Sequence, residues 1–136
     1  MRHGFKPPPP YPPVVPHVAV LDANALLLPF QFRLNLELEL RRLLGECRIV
    51  VPEPVLGELD VNLASDRWAK AARQLASKFP SEPAQTRGDD AVIEVAQRLG
   101  GVVVTNDAAM IDRLRDLRIP RIFLRSRNHL TAEGLD

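Results

Sequence analysis

Two short segments of this 136-residue chain each carry a carboxylate to the end of an apolar run: VAVLDAN at Val18–Asn24 and GVVVTND at Gly101–Asp107. Apolar runs of this length, bounded by polar turn residues, read as buried strands of a parallel sheet. In open α/β sheets, ligands sit just beyond the carboxyl ends of such strands. Asp22 and Asp107 reach that edge from 85 positions apart, which suggests something cationic held between them. Further carboxylates stand at similar places. Glu58 lies midway along the helix expected in VLGELD, and Asp89 and Asp90 open the helix that leads into the second motif.

Clustered carboxylates repel one another and raise each other's pKa, so such a group is unfavourable unless a cation occupies it. Oxygen-only ligation suits a hard divalent ion, Mg²⁺ or Mn²⁺. Cys47 is the only cysteine, which excludes a multi-cysteine zinc site and an intramolecular disulfide. Taken singly, each acid has an ordinary explanation. Asp22, Asp107 and Asp89 or Asp90 suit turns and helix N-caps, and Glu58 suits a solvated helix face. The combination carries the argument.

The elements that must position these groups follow from periodicity and punctuation. Strands are expected at Val18–Leu21, Cys47–Val51, Val102–Thr105 and Arg121–Leu124. The leucine-rich stretch after the first strand alternates like a strand, but Leu36, Leu40, Leu43 and Leu44 also share one helical face. Asn35 can cap a helix there and Gly45 can end it, so a helix is expected over 35–45. Pro54 in its first turn starts the next helix, with Val55, Leu56, Leu59 and Leu63 on its buried face. Further helices are expected at Ser65–Phe79, with Trp68, Ala72 and Leu75 inward, at Asp89–Leu99 and at Ala108–Leu117. Ser81–Gly88 reads as an exposed loop. Strands alternating with helices imply an α/β fold, a three-layer α/β/α sandwich around a small central parallel sheet of four to five strands.

At 136 residues, with 46% hydrophobic and 26% charged residues, the chain suits one soluble domain. The net charge of +1 says little about partners. Its distribution says more. Six arginines against two aspartates lie between Asp112 and Arg127. Of these, Arg113, Arg118, Arg125 and Arg127 are candidate phosphate contacts on a basic rim, although a solvated face with internal Asp–Arg pairs explains them equally well. Residues 1–16 hold seven of the thirteen prolines and read as an extended, polyproline-II-like arm, either a lead-in or a docking segment. The domain is expected over 17–130, with a short tail at 131–136. No apolar stretch approaches the roughly 20 residues that cross a bilayer, and the start is too proline-rich for a signal peptide, so a cytoplasmic protein with no membrane partner is expected.

The ordered set VLDAN, VLGELD, DDAVIEVAQRLGG and VVVTND resembles the PIN-domain nucleases over about residues 17–130. The tail RDLRIPRIFLRSRNHL is similar to the archaeal VapC-like and ribosomal-RNA-processing branch. The resemblance implies a metal-dependent endoribonuclease that leaves 5′-phosphate and 3′-hydroxyl ends. It carries the catalytic roles onto Asp22, Glu58, Asp107 and either Asp89 or Asp90, with Mg²⁺ or Mn²⁺ on the aspartates. Thr105 matches the small hydroxyl residue two positions before the last aspartate. Asn24 and Asn106 are either supporting donors or turn braces. The implied partners are RNA, an antitoxin or a ribosome-assembly partner, and a second copy of the chain. The implied role is ribosomal RNA processing or that of a toxin. Two other classes compete. A phosphatase of the haloacid dehalogenase type needs an acid at Asn24 and a lysine in the later region, where the chain has none beyond Lys78. An RNA-binding or assembly protein on the same scaffold, with little or no catalysis, is the stronger competitor.

Overall fold

A computed structural model describes residues 17–135; the proline-rich arm expected at 1–16 lies outside them. The strands are β1 His17–Leu21, β2 Cys47–Pro52, β3 Ser81–Glu82, β4 Val102–Val104, β5 Arg121–Ser126 and β6 His129–Glu133. The helices are α1 Ala23–Phe32, α2 Leu36–Leu44, α3 Glu53–Val61, α4 Ala69–Ala76, α5 Gly88–Leu99 and α6 Ala108–Asp116. The sheet order is β3-β2-β1-β4-β5-β6, parallel throughout except for the antiparallel β5–β6 pair. The helices flank it in a three-layer α/β/α arrangement.

Both segments that opened the sequence argument are central strands. Val20 pairs with Val50 on one side and Val103 on the other, and all three are fully buried. A strand covered on both faces needs no polar alternation, hence VAVL and VVV. Each such side chain contributes about 1.5–3 kcal/mol of burial. That core fixes where the strands stop, and therefore where Asp22 and Asp107 stand.

The structure departs from these expectations in several places. The sheet has six strands rather than four or five, because Ser81–Glu82 pairs with Val51–Pro52 inside the expected loop and because β6 folds back on β5. The sheet therefore runs on to Glu133. Helix α1 was not expected at all. Pro29 sits inside it, where a missing N–H normally argues against helix. Leu63 is exposed beyond the end of α3, and Trp68 is half-buried ahead of α4 beneath the Arg67 guanidinium, 4.3 Å from its ring centre. The expected helix over 65–79 is the shorter α4.

Two local devices set the geometry. On β6, the Leu130 N–H donates to the Glu39 carboxylate of α2 at 2.9 Å, and Arg42 donates to the Leu130 carbonyl at 2.8 Å. At the other end, α5 terminates on Gly100 in the left-handed conformation, φ 61°. Gly101 then passes close under β1. A β-carbon there would stand 3.0 Å from both the Val18 carbonyl oxygen and Val20 Cγ2. Gly101→Ala is accordingly expected to cost about 1–3 kcal/mol by overpacking. Urea denaturation measures this, and an unchanged midpoint would show that the α5–β4 turn yields.

Candidate active site

At the carboxyl edge of the sheet, a cleft of about 250 Å³ is lined by Asp22, Asn24, Glu58, Asn62, Asp89 and Asp107, over the apolar side chains of Leu27, Val55 and Val92. Each acid arrives on a different element. Asp22 follows β1 and caps α1, its Oδ1 accepting from the Ala25 N–H at 2.7 Å. Asp107 caps α6, its Oδ1 accepting from the N–H groups of Ala109 and Met110. Glu58 projects from α3 and Asp89 from the first turn of α5. The capping explanation and the site explanation thus hold together, since a cap bond fixes the carboxylate it uses.

Asp22 is the buried member, 6% exposed. Its backbone N–H donates to the Val104 carbonyl, which ties the end of β1 to β4. Thr105, fully buried beneath it, accepts from the Asp107 N–H at 3.2 Å and donates its own hydroxyl toward the Asp22 carboxyl. One hydroxyl therefore couples the two aspartates. Asn24 performs a parallel task, its Oδ1 accepting from the Asn106 N–H at 3.1 Å. Asn24 and Thr105 hold the two strand ends in register, and Asn106 takes part through its backbone.

Burial is the largest influence on Asp22 and pushes its carboxyl from 3.8 up to about 7. The Thr105 hydroxyl and the Ala25 N–H pull it down, while Asp89 and Glu58 push it further up. Glu58 is raised as well, first by partial burial and then by Asp89. Asp22 and Glu58 both feel the charge of Asp89 across the cleft. Their donor atoms are all carboxylate oxygens, which fit a hard divalent cation in kind. As the side chains stand, no three His, Cys, Asp or Glu groups among the described residues converge tightly enough to hold an ion. Glu58 and Asp89 are exposed and free to turn toward Asp22.

Of the two adjacent acids, Asp89 lines the cleft and Asp90 does not. One residue along a helix is a turn of about 100°, and this carries Asp90 to the outside, where it pairs with Arg113 of α6. Among the candidate phosphate contacts, Arg113 is therefore engaged. Arg118 sits in the left-handed turn between α6 and β5, φ 59°, at the sheet edge opposite the cleft. Arg125 and Arg127 lie on the cleft's own edge. β5 pairs with β4 as far as Val104–Ile122 and continues to Ser126, about 13 Å beyond that register point at strand rise. The β5–β6 turn overhangs the carboxyl edge with both arginines exposed. Neither has an ion-pair partner among the described residues. Asn62 was not anticipated. Its amide donates to the Glu58 carbonyl at 3.0 Å, and the four-residue spacing from Glu58 on one helix was the available signal.

A family model described as a PIN like domain matches residues 19–127. Among characterised relatives, Ribonuclease VapC9 of Archaeoglobus fulgidus is 27% identical over 123 residues, spanning 87% of this chain and 90% of its own. Among solved structures, that of the PIN domain endonuclease Utp24 is similar with a TM-score of 0.73 at 21% identity, covering 88% of this chain and 93% of that one. A domain of a functionally unknown protein from Methanocaldococcus jannaschii is similar with a TM-score of 0.59 at 17% identity, covering 88% of this chain and 99% of that one. At these identities the structural likenesses establish the fold alone.

The buried aspartate has a consequence for stability. Asp22 holds its proton more tightly folded than unfolded, so its favourable contribution is full below about pH 4 and is lost as pH rises to about 7. Asp22→Asn keeps an acceptor for the Ala25 N–H and cannot ionise. In metal-free buffer it is expected to exceed the parent in stability at about pH 8, by an amount on the order of a few kcal/mol. The gap should close toward about pH 4. Thermal melts across this range measure it, and parallel curves would refute it.

Proposed function

The chain belongs to the PIN-like domain family, and from that premise we propose that it is a metal-dependent endoribonuclease acting at the cleft of Asp22, Glu58, Asp89 and Asp107. The observation that carries the reading is the convergence of four carboxylates from four elements on one small cleft, with Asp22 pushed toward neutrality first by burial and then by Asp89 and Glu58. The relatives add to it. One bears the name ribonuclease and another endonuclease, and cleavage of a phosphodiester is common to both names.

Asp22, Asp89 and Asp107 are the residues that would hold Mg²⁺ or Mn²⁺. Such an ion supplies two things when bound: charge to offset the scissile phosphate and acidity for a water molecule. Asp22 and Asp107 are fixed in advance by their cap bonds and by the Thr105 hydroxyl between them, so binding costs little reorganisation on that side. Glu58 orients the attacking water and accepts its proton, a role suited to a carboxyl raised by partial burial and by Asp89. The water oxygen bonds to phosphorus as the 3′-oxygen departs in line and takes up a proton. The products are 5′-phosphate and 3′-hydroxyl ends. Asn24 holds the Asn106 turn beside the cleft by accepting from the Asn106 N–H. Because an acidic cleft repels RNA, a cationic rim must draw the backbone in, and Arg125 and Arg127 on the overhanging turn are suited to it.

The test is cleavage of single-stranded and structured RNAs with Mn²⁺ or Mg²⁺. Asp22→Asn, Asp89→Asn and Asp107→Asn are each expected to lose about a hundredfold or more in rate. Asp90→Asn, whose parent side chain faces away, should retain nearly all activity. Equal cleavage by all of these proteins would sink the nuclease assignment. No cleavage by any, with RNA binding retained, would favour an RNA-binding or assembly role. Arg125→Ala combined with Arg127→Ala should weaken RNA binding and flatten its salt dependence by about two log units per log salt or slightly less.

A further inference from the structure

Beside the acidic cleft lies a larger concavity of about 590 Å³, opening between α3 and the segment that leads into α5. The two share Glu58, Asn62 and Gly88, so a single ligand can occupy both without leaving the surface. The groove is floored by apolar groups of Pro54, Gly57, Val61 and Ala84, and rimmed by Gln85, Thr86 and Arg87. Val61 is 82% exposed, although Val55 on the same helix is wholly buried. The surface is apolar where the protein's own packing does not require it.

Both walls are prepared. Residues 84–87 belong to no helix or strand, yet they are held in place. The Glu94 carboxylate accepts from the Gln85 N–H, the Thr86 N–H and the Thr86 hydroxyl at 2.7–3.0 Å. Arg98 donates to the Pro83 carbonyl at 2.6 Å and reaches Glu94 from the other side. A wall ordered before the ligand arrives spares the ordering cost on binding. On the opposite wall, Gly57 sits inside α3, where glycine weakens a helix relative to alanine. Its φ is not positive, and an added β-carbon meets nothing within 4 Å. Neither backbone conformation nor internal packing calls for glycine there. What it provides is clearance in the groove.

A nucleobase matches this arrangement: flat and apolar on its faces, polar at its edge. The floor takes a face and the rim meets the edge. Arg87 is exposed, has no ion-pair partner among the described residues, and offers a planar guanidinium of the kind that stacks on unpaired bases. An apolar peptide would leave that polar rim unused and lie against the acids of the cleft. A nucleotide brings its phosphate to the cleft and its base to the groove together.

We propose that the groove is a base subsite, taking one unstacked nucleobase of single-stranded RNA beside the scissile phosphate. The assignment rests on the ribonuclease reading of the adjoining cleft. A base held in a duplex cannot turn into the groove, so paired RNA is excluded from it.

Gly57→Leu extends a side chain from α3 into the groove, its β-carbon meeting nothing within 4 Å, and Gly57→Ala strengthens α3 while taking a smaller share of the space. Two readouts are needed: the KM for a single-stranded decamer, and the affinity of that decamer and of its duplex for the Asp22→Asn protein, followed by fluorescence anisotropy. Gly57→Leu is expected to raise both KM and Kd for the single strand about tenfold or more, with duplex binding and circular dichroism unchanged. Gly57→Ala, which occupies less of the groove, should raise both by a smaller factor than Gly57→Leu. Arg87→Lys, which keeps the charge and loses the plane, should also weaken the single strand. Unchanged KM and Kd in Gly57→Leu would overturn the subsite and leave the groove to a protein partner, even where Asp22→Asn abolishes cleavage and the ribonuclease reading stands. If the parent cleaves no RNA, that reading fails, and the anisotropy series still decides the subsite on its own.

Discussion

One carboxyl group, that of Asp22, is held out of water where β1, β4 and α1 meet, and the geometry around it follows from the need to satisfy it. It caps α1 through the Ala25 N–H, receives the Thr105 hydroxyl, and ends a strand whose last backbone N–H is tied to Val104. Thr105 in turn receives the Asp107 N–H. Burying a carboxyl is unfavourable unless it is neutralised or compensated. Here two hydrogen bonds offset part of the cost, and the surrounding acids add to what remains. A local structure that bears this cost is positioned for a partner of opposite charge.

The central strands were legible because burial on both faces leaves an uninterrupted apolar run, as in β1 and β4, while β2 and β5 each hold one within a longer strand, Ile49–Val51 and Ile122–Leu124. The amphipathic helices α2, α5 and α6 were legible for the complementary reason, with their caps Asn35, Gly45 and Gly100 visible as residue types. Helix α1 was not. It packs against α3 and α4 as well as the sheet, so it carries no polar stripe, and Pro29 argued against it. β3 is two residues long and is created by its pairing with β2 rather than by its composition. Antiparallel β6 likewise depends on tertiary support from α2.

The candidate site divides along the same line. Asp22, Glu58 and Asp107 could be read from their places relative to strand ends and helices, and Thr105 from its place two residues before Asp107. The choice between Asp89 and Asp90 could not, because one residue of phase on a helix separates the cleft from the Arg113 side. The arginines show the same limit: composition gathers six of them within sixteen residues, while the fold sends Arg118 to the far edge and Arg121 into the interior beside Glu133. The groove with Gly57 and Arg87 has no signature in sequence. It exists because α3 and the segment before α5, some 30 positions apart, are brought alongside each other.

The contacts that α2 makes with β6 have a further effect. A sheet of this kind has two outer edges, and an open edge is a template for a strand of another chain. On β6, both backbone groups of Leu130 are already taken by Glu39 and Arg42. On the opposite flank, β3 offers two residues set between Pro80 and Pro83, neither of which can donate to a ladder. Lateral growth of the sheet is thus discouraged at both ends, one by side chains that imitate a neighbouring strand and the other by brevity. Among the described residues, pairing of two copies edge to edge is therefore disfavoured at Leu130 and at β3.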